Sequence, residues 1–443
     1  MPNTTQRLYP LAVILIVYAI IGTLFATRIP AWQTPDEPAH YAYIRQLAQT
    51  GALPVIEPSD WTPGLVPIGP KTRDVPIERI SYEDHQPPLF YALAVPMFNL
   101  TQGNLTALRR FSLTIGGLGI VFAYLAILAL FPHQPAWAAF GTAFIALLPQ
   151  HVHMLAGLNN DSLSETLIAL TVLLCVRLII RQERASAGNV PAGNAPAGNS
   201  AAVLIGLGVV VGLAMLTKAQ AYLALPVAAV GLWLARPAGA VSRRTLLQGI
   251  GVLVLGIAIA SPLWLRNIGL YGGLDFLGLQ RHNLVVVGQP TTAGLIATQG
   301  VAGWLRELVQ TTFQSYWAQF GWMSIPLNSR FYLVFLALSV LSASFFAIWW
   351  LRAKVSASQR RGLILLGALA VFSALGFIWY NTQFQQFQGR YLYPALIPAA
   401  MALALGWHTV LPRLQRWLWL AFTLILAALD VYLLFRVILP QML

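Results

Sequence analysis

The stretch AWQTPDEPAHYAYIRQ (31–46) sets two adjacent carboxylates, Asp36 and Glu37, between prolines and just ahead of His40, in a chain with only 9% charged residues. A carboxylate held under a proline-rich loop and beside apolar helices loses part of its hydration. That raises its basicity, which suits it to take a proton from a hydroxyl. EDHQPPLFYAL (83–93) brings His85 and Gln86 to the start of a short apolar segment whose entry is fixed by Pro87-Pro88. LPQHVHMLAGLNNDSLSE (148–165) supplies His151, His153, Asn159, Asn160 and Asp161. Asp161 and Glu165 are four apart and share a helix face; Asp161 or Ser162 also has the look of a helix N-cap. Two cations complete the set. Lys218 lies in GLAMLTKAQAYLALP (212–226), and Arg390, followed by Tyr391, lies in FQQFQGRYLYPALIP (384–398). Each reads either as a helix-end residue snorkelling to lipid headgroups or as a phosphate ligand, Arg by its bidentate fork and Lys as a point charge.

These residues need a scaffold, and 57% hydrophobic composition over 443 residues says which kind. Apolar runs of about 20 residues without strand-like alternation read as membrane helices, since only helices and closed barrels satisfy their backbone in lipid. The runs are 8–29, 111–131, 136–155, 162–181, 202–217, 219–235, 246–265, 331–351, 362–380, 391–411 and 417–439, so an all-α polytopic protein with about eleven spans is expected. The first run is long for a signal peptide and lacks a small-residue cleavage site, so it reads as a retained anchor. The segment 87–100 is short and broken by Pro96, and reads as a helix lying at the interface.

The net charge of +13 is not a nucleic-acid footprint. Its basic residues recur in short loops such as RLIIRQER (177–184), RPAGAVSRR (236–244) and LRAKVSASQRR (351–361). The positive-inside rule puts these loops, and the N-terminus, in the cytoplasm. Two long extracytoplasmic loops follow, 30–110 and 266–330, carrying short interfacial helices. Eleven prolines between Pro30 and Pro88 exclude one long helix from the first. Residues 185–202, with three Ala-Gly-Asn repeats, read as a flexible cytoplasmic linker. Residues 1–443 thus form a single membrane domain. The one cysteine, Cys175, sits in an apolar run and rules out a thiolate cluster. Histidines 40, 85, 151, 153 and 282 show no zinc-ligand spacing.

Taken in order, Asp36-Glu37 after the first helix, His85-Gln86-Pro87-Pro88-Leu89, Asn159-Asn160-Asp161, Leu216-Thr217-Lys218 and Gln388-Gly389-Arg390-Tyr391-Leu392-Tyr393-Pro394 resemble the GT-C glycosyltransferases. The relatives are protein O-mannosyltransferases, lipid A aminoarabinose transferases and RgtA/B/C/D-like bacterial enzymes. The resemblance spans about residues 8–410. It implies a GT-C fold, a polyprenyl-phosphate sugar donor, and inverting transfer to a hydroxyl of a lipid, glycan or protein acceptor on the extracytoplasmic side.

Carried over, Asp36 activates the acceptor with Glu37 as its neighbour, while Arg390, Lys218 and Tyr391 hold the donor phosphate. His40, His85, Asn160 and Asp161 bind substrate. Aminoarabinose transferases have a metal-linked Glu where this chain has His85, so no cofactor is carried over and a divalent metal has no ligand spacing behind it. Two other functions fit a polytopic chain: a transporter, which places ionisable groups at the bilayer midplane on interrupted helices, and a polyprenyl-diphosphate glycan polymerase or ligase. Asp430 is the only carboxylate deep in a predicted span.

Overall fold

The computed structural model describes residues 4–61, 80–186, 197–236 and 243–443. Asp74 and Glu78, expected in the first loop, lie outside the described residues, as does the core of the Ala-Gly-Asn repeat at 187–196.

The chain enters through α1 (Thr4–Arg28), then makes a tight excursion of α2 (Glu37–Thr50), a 3-10 turn at Pro58–Asp60 and α3 (Leu89–Leu100). Twelve residues of α3 reach about 18 Å, too short to cross a bilayer. α4 (Leu105–Leu130) starts on Asn104, whose side chain accepts from the Ala107 amide at 3.0 Å. Next come α5 (Pro135–Leu147), α6 (Pro149–Leu155), α7 (Asp161–Ser186), α8 (Ala197–Met215) and α9 (Ala224–Leu234). α10 (Arg243–Tyr271) leads to α11 (Leu279–Val285), α12 (Thr292–Trp317) and a two-stranded antiparallel ribbon, β1 (Gln319–Phe320) with β2 (Ile325–Pro326). The chain finishes with α13 (Ser329–Arg352), α14 (Ala357–Asn381), α15 (Leu396–Val410) and α16 (Gln415–Leu433), the last continued by a π turn to Ile438.

Among the described residues seven helices are long and apolar enough to cross a membrane: α1, α4, α7, α10, α13, α14 and the run Trp417–Met442. The protein is a multi-pass membrane protein. The expected count of eleven spans is not confirmed: the described helices give seven, or eight if the bent pair α5–α6 is one span, and the other predicted runs are shorter or interrupted. The run 136–155 breaks into α5 and α6 with a 64° bend. There Leu148, forced toward extended backbone by the following Pro149, cannot continue the helix. The runs 202–217 and 219–235 are shorter apolar helices on either side of Lys218. The run 391–411 begins as a 3-10 segment, Gly389–Ala395, containing Pro394. The expected linker at 185–202 is also too wide, since α7 runs to Ser186 and α8 is helical from Ala197. The second loop holds one long element rather than only short ones: α12 is 26 residues, kinked where Gly300 takes φ 72°.

α1, α4, α5, α6 and α7 form the packed centre, with α16 and α15 against α5 and α13 against α15. Lipid supplies no hydrophobic drive between helices, so close approach depends on small residues. A methyl added at Gly119 would strike Thr166 of α7, and one at Gly231 would strike Cys175, which is buried as core. The bent and 3-10 breaks all carry candidate residues. Apolar helices cannot expose backbone or charge in mid-bilayer, so polar side chains gather where helices end.

Candidate active site

The turn after α1 is the first positioning device. Trp32 and Asp36 both adopt left-handed backbone, φ 68° and 64°. Asp is among the residues that tolerate this region. What holds the turn is an ion pair beneath it. Arg109 of α4 gives Nε to Glu37 Oε1 at 2.7 Å and Nη2 to Glu37 Oε2 at 2.6 Å. Its remaining donors reach the carbonyls of Ala26, Ile29 and Pro30 at 3.2, 2.7 and 2.9 Å. Glu37 also accepts from the amides of Trp32 and Leu158 at 3.0 and 3.2 Å. Both side chains are sealed from solvent, so Glu37 faces into the protein while its neighbour Asp36 faces the site.

Asp36 Oδ2 accepts from Arg390 Nη2 at 2.5 Å, and Oδ1 accepts from the Tyr82 hydroxyl at 3.2 Å. Arg390 Nη1 lies 3.8 Å from Asp161 Oδ2, and Asp161 Oδ1 pairs with Lys218 Nζ. Four segments spread over 354 residues of chain therefore meet in one quartet of two carboxylates and two cations. Asp36 is the most open member, 22% exposed against 6% for Arg390, so a solute meets it first.

Each arm has a local cause. Asn159 Oδ1 accepts from the Asp161 amide at 3.0 Å, an Asx turn that satisfies the first amide of α7, and the Asp161 carboxylate is left for Lys218. This corrects the expectation that Asp161 or Ser162 supplies the cap. Arg390 sits on the 3-10 segment because Gly389 lies directly against the backbone of Tyr316 in α12, where a Cβ has no room. The Gly389 amide donates to Ser315 Oγ at 2.8 Å, and the Tyr393 hydroxyl donates to the Tyr316 carbonyl at 3.0 Å. Lys218 is anchored by its neighbour: the Thr217 carbonyl accepts from Asn160 Nδ2 at 3.2 Å, which also donates to Gln86 Oε1 at 3.1 Å.

The other predicted residues stand close by. His40 Nδ1 is 2.9 Å from the Tyr91 hydroxyl, and Tyr91 stacks on Tyr43 at 3.7 Å between centroids. The Arg390 guanidinium lies 5.3 Å from the Tyr391 ring centroid. His85 donates Nδ1–H to the Tyr82 carbonyl at 3.3 Å and packs its ring 4.1 Å from that of His282 in α11. His151 pairs with Glu165 at 2.7 Å, set deeper against Tyr393, while His153 is buried without a hydrogen-bond partner. Among the described residues no group of three His, Cys, Asp or Glu is arranged to hold a metal ion.

Electrostatics overturn one expectation. Burial does push Asp36 upward, but Arg390, His40 and Lys218 together outweigh it and hold the carboxyl below its usual range. The predicted rise in Asp36 basicity is therefore absent in the unliganded site. Burial brings His40 down to about 4, so it is a neutral ring at neutral pH. His85 falls well below its usual value through burial and the nearby His282. The carboxyls raised beside it are Glu83, pushed to about 8 by burial and the charge of Asp36, and Asp84, pushed well up by burial and by Asp60 and Glu83. Sequence reasoning placed Glu83 among the exterior carboxylates without giving it a role, and gave none to Tyr82, Tyr91 or Arg109. One signal was available: Arg109-Arg110 falls on the side where short-segment charge bias expects few cations.

No protein-family model and no curated protein matches the chain. Solved structures do. ArnT from Cupriavidus metallidurans bound to undecaprenyl phosphate matches with TM-score 0.52 at 15% identity, over 100% of this chain and 74% of that one. The Archaeoglobus fulgidus oligosaccharyltransferase in its apo form matches with TM-score 0.53 at 14% identity, over 99% and 56%. The fold is GT-C. This chain spans about half the length of the oligosaccharyltransferase and about three quarters of ArnT. At such identity the likeness carries the fold, and the chemistry must be argued from the quartet itself.

Proposed function

We propose that this GT-C protein is an inverting membrane glycosyltransferase. It moves a sugar from a polyprenyl-phosphate donor to a hydroxyl of a lipid, glycan or protein acceptor at the extracytoplasmic surface. The observation that carries the reading is the quartet: Arg390 bridging Asp36 and Asp161, with Lys218 on Asp161, at helix ends. That the C. metallidurans ArnT structure is bound to undecaprenyl phosphate supports a lipid phosphate as the anionic partner.

Both cations are already neutralised by carboxylates, so the donor phosphate enters by exchange. It takes Arg390 and Lys218 from their partners, and Asp36, released from the guanidinium that holds its proton affinity down, becomes a competent base. The acceptor O–H then gives its proton to Asp36 as its oxygen bonds to the anomeric carbon from the face opposite the phosphate. The bond from that carbon to the phosphate oxygen breaks, and its electron pair stays on the phosphate, where Arg390 and Lys218 stabilise the growing charge. Base activation thus waits for the donor, which limits hydrolysis of anything else in the site. Tyr391 steadies Arg390 from below, while His40, His85 and Asn160 line the sugar side. Glu37 is read as structural, because Arg109 and two amides occupy its oxygens.

The test is Asp36→Asn in purified, liposome-reconstituted protein supplied with radiolabelled polyprenyl-phosphate sugars and, in parallel, polyprenyl-diphosphate glycans. Transfer from the monophosphate donor is expected to drop about 10²- to 10⁴-fold, the usual weight of a positioned base, with binding of undecaprenyl phosphate retained. Near-normal turnover of the variant removes Asp36 as the base. Turnover of diphosphate glycans alone replaces the donor class.

A further inference from the structure

Tyr82 and Gln86 are both tied into the site, Tyr82 to Asp36 and Gln86 to Asn160, and between them in sequence stands Glu83, close enough to the quartet to interact with Asp36, Lys218 and Arg390. Its Oε2 is sealed from solvent and has no hydrogen-bond partner. An ionised carboxylate oxygen left bare is among the costlier things a protein can bury. The neighbourhood makes it worse. The charged groups facing Glu83 are Asp36, Asp84, Lys218 and Arg390, and the two cations are already committed to Asp36 and Asp161. The phenols of Tyr82, Tyr91 and Tyr391 around it all hold their protons tightly, first through burial and then through neighbouring negative charge, so they offer hydrogen bonds and no charge.

We infer that Glu83 stands protonated in the resting site and that its carboxylic O–H, unpartnered there, is a hydrogen-bond donor to the phosphate of the incoming lipid. This inference rests on the lipid-phosphate reading above and adds a ligand to it. With Asp36 freed by the exchange, a second carboxylate beside the phosphate would repel it, whereas a carboxylic acid supplies a hydrogen bond and no negative charge. The rise of Glu83 to about 8 agrees, and Lys218, a hydrogen bond from Gln86, and Arg390 are the groups pulling the other way. The direction follows: the acid form exists below about 8 and is lost as pH rises through that value. Lipid phosphate is then held more tightly at neutral than at alkaline pH.

The experiment measures binding of undecaprenyl phosphate to the whole detergent-solubilised protein at pH about 7 and about 9.5, both above the phosphate's own second ionisation near 6. One hydrogen bond to a charged group corresponds to about 10- to 100-fold in affinity. Wild-type binding is expected to weaken by about that factor at the higher pH, and Glu83→Gln, which cannot ionise, to bind equally at both. Glu83→Ala is expected to bind weakly at both. Infrared difference spectra give a readout independent of ligand: a protonated-carboxyl band that fades as pH passes about 8 and is missing in Glu83→Gln. Equal wild-type binding at the two pH values overturns the donation while leaving the lipid-phosphate reading intact. No binding at either pH overturns the lipid-phosphate reading and the donation with it. A pH dependence that survives in Glu83→Gln assigns the titration to another group and refutes the inference.

Discussion

Glu37→Gln keeps the shape of the side chain and removes one charge. The structure says what that costs. Four donors converge on Glu37: Arg109 Nε and Nη2, and the amides of Trp32 and Leu158. A Gln amide nitrogen cannot accept from any of them, so one oxygen's worth of donors is stranded. The Arg109 charge, 3% exposed, is left without a counter-ion. Breaking one half of a buried pair costs about 3–5 kcal/mol. The assay is thermal unfolding in detergent, followed by tryptophan fluorescence, with transfer activity measured on the same preparations. Glu37→Gln is expected to lower the midpoint clearly and to lose activity only in step with the folded fraction.

The paired change Glu37→Leu with Arg109→Met separates charge from hydrogen bonding. Removing both ions relieves the electrostatic part. It still orphans the carbonyls of Ala26, Ile29 and Pro30 and the amides of Trp32 and Leu158, at about 1 kcal/mol each, so stability returns only in part. A Glu37→Gln protein with an unchanged midpoint and no transfer activity refutes the reasoning, because it makes Glu37 a reacting group rather than the foundation of the Asp36 turn.

Arg390→Ala is expected to raise the donor KM about 10- to 100-fold, the worth of charged hydrogen bonds to phosphate. It should also move the acid limb of the pH profile of kcat/KM, which reports the free enzyme, to higher pH, because Asp36 there loses the cation that keeps it low; an unmoved limb means the limb belongs to another group. Gly389→Ala should disable transfer and cost about 1–3 kcal/mol of stability, since its methyl group runs into the Tyr316 backbone and displaces Arg390. Wild-type kinetics from that variant, measured on folded protein, would show that Arg390 needs no such exact seat.

Much of the scaffold is legible from hydropathy alone, because a helix crossing lipid needs a run of apolar residues and little else. Each of the eleven predicted runs is helical, wholly or after a 3-10 or bent start. The number that cross is less legible. It depends on where Pro149, Lys218 and Pro394 interrupt the backbone, and a sliding window averages over such breaks. Within the site, Asp36, Asp161, Lys218 and Arg390 are recognisable as charges at the ends of apolar runs, where a chain that rarely spends a charge has spent one.

What the linear chain determines here is the solvent it lives in, the positions of its helices and the short inventory of groups able to do chemistry. What only the tertiary structure decides is which charge answers which. Asp36 and Glu37 are adjacent and chemically alike, yet one meets Arg390 at the open end of the quartet and the other is sealed onto Arg109. Glu83, unremarkable in sequence, ends with an oxygen that nothing partners. Proton affinity and ion pairing depend on distance and on lost hydration, and both are properties of neighbours brought together from hundreds of residues away.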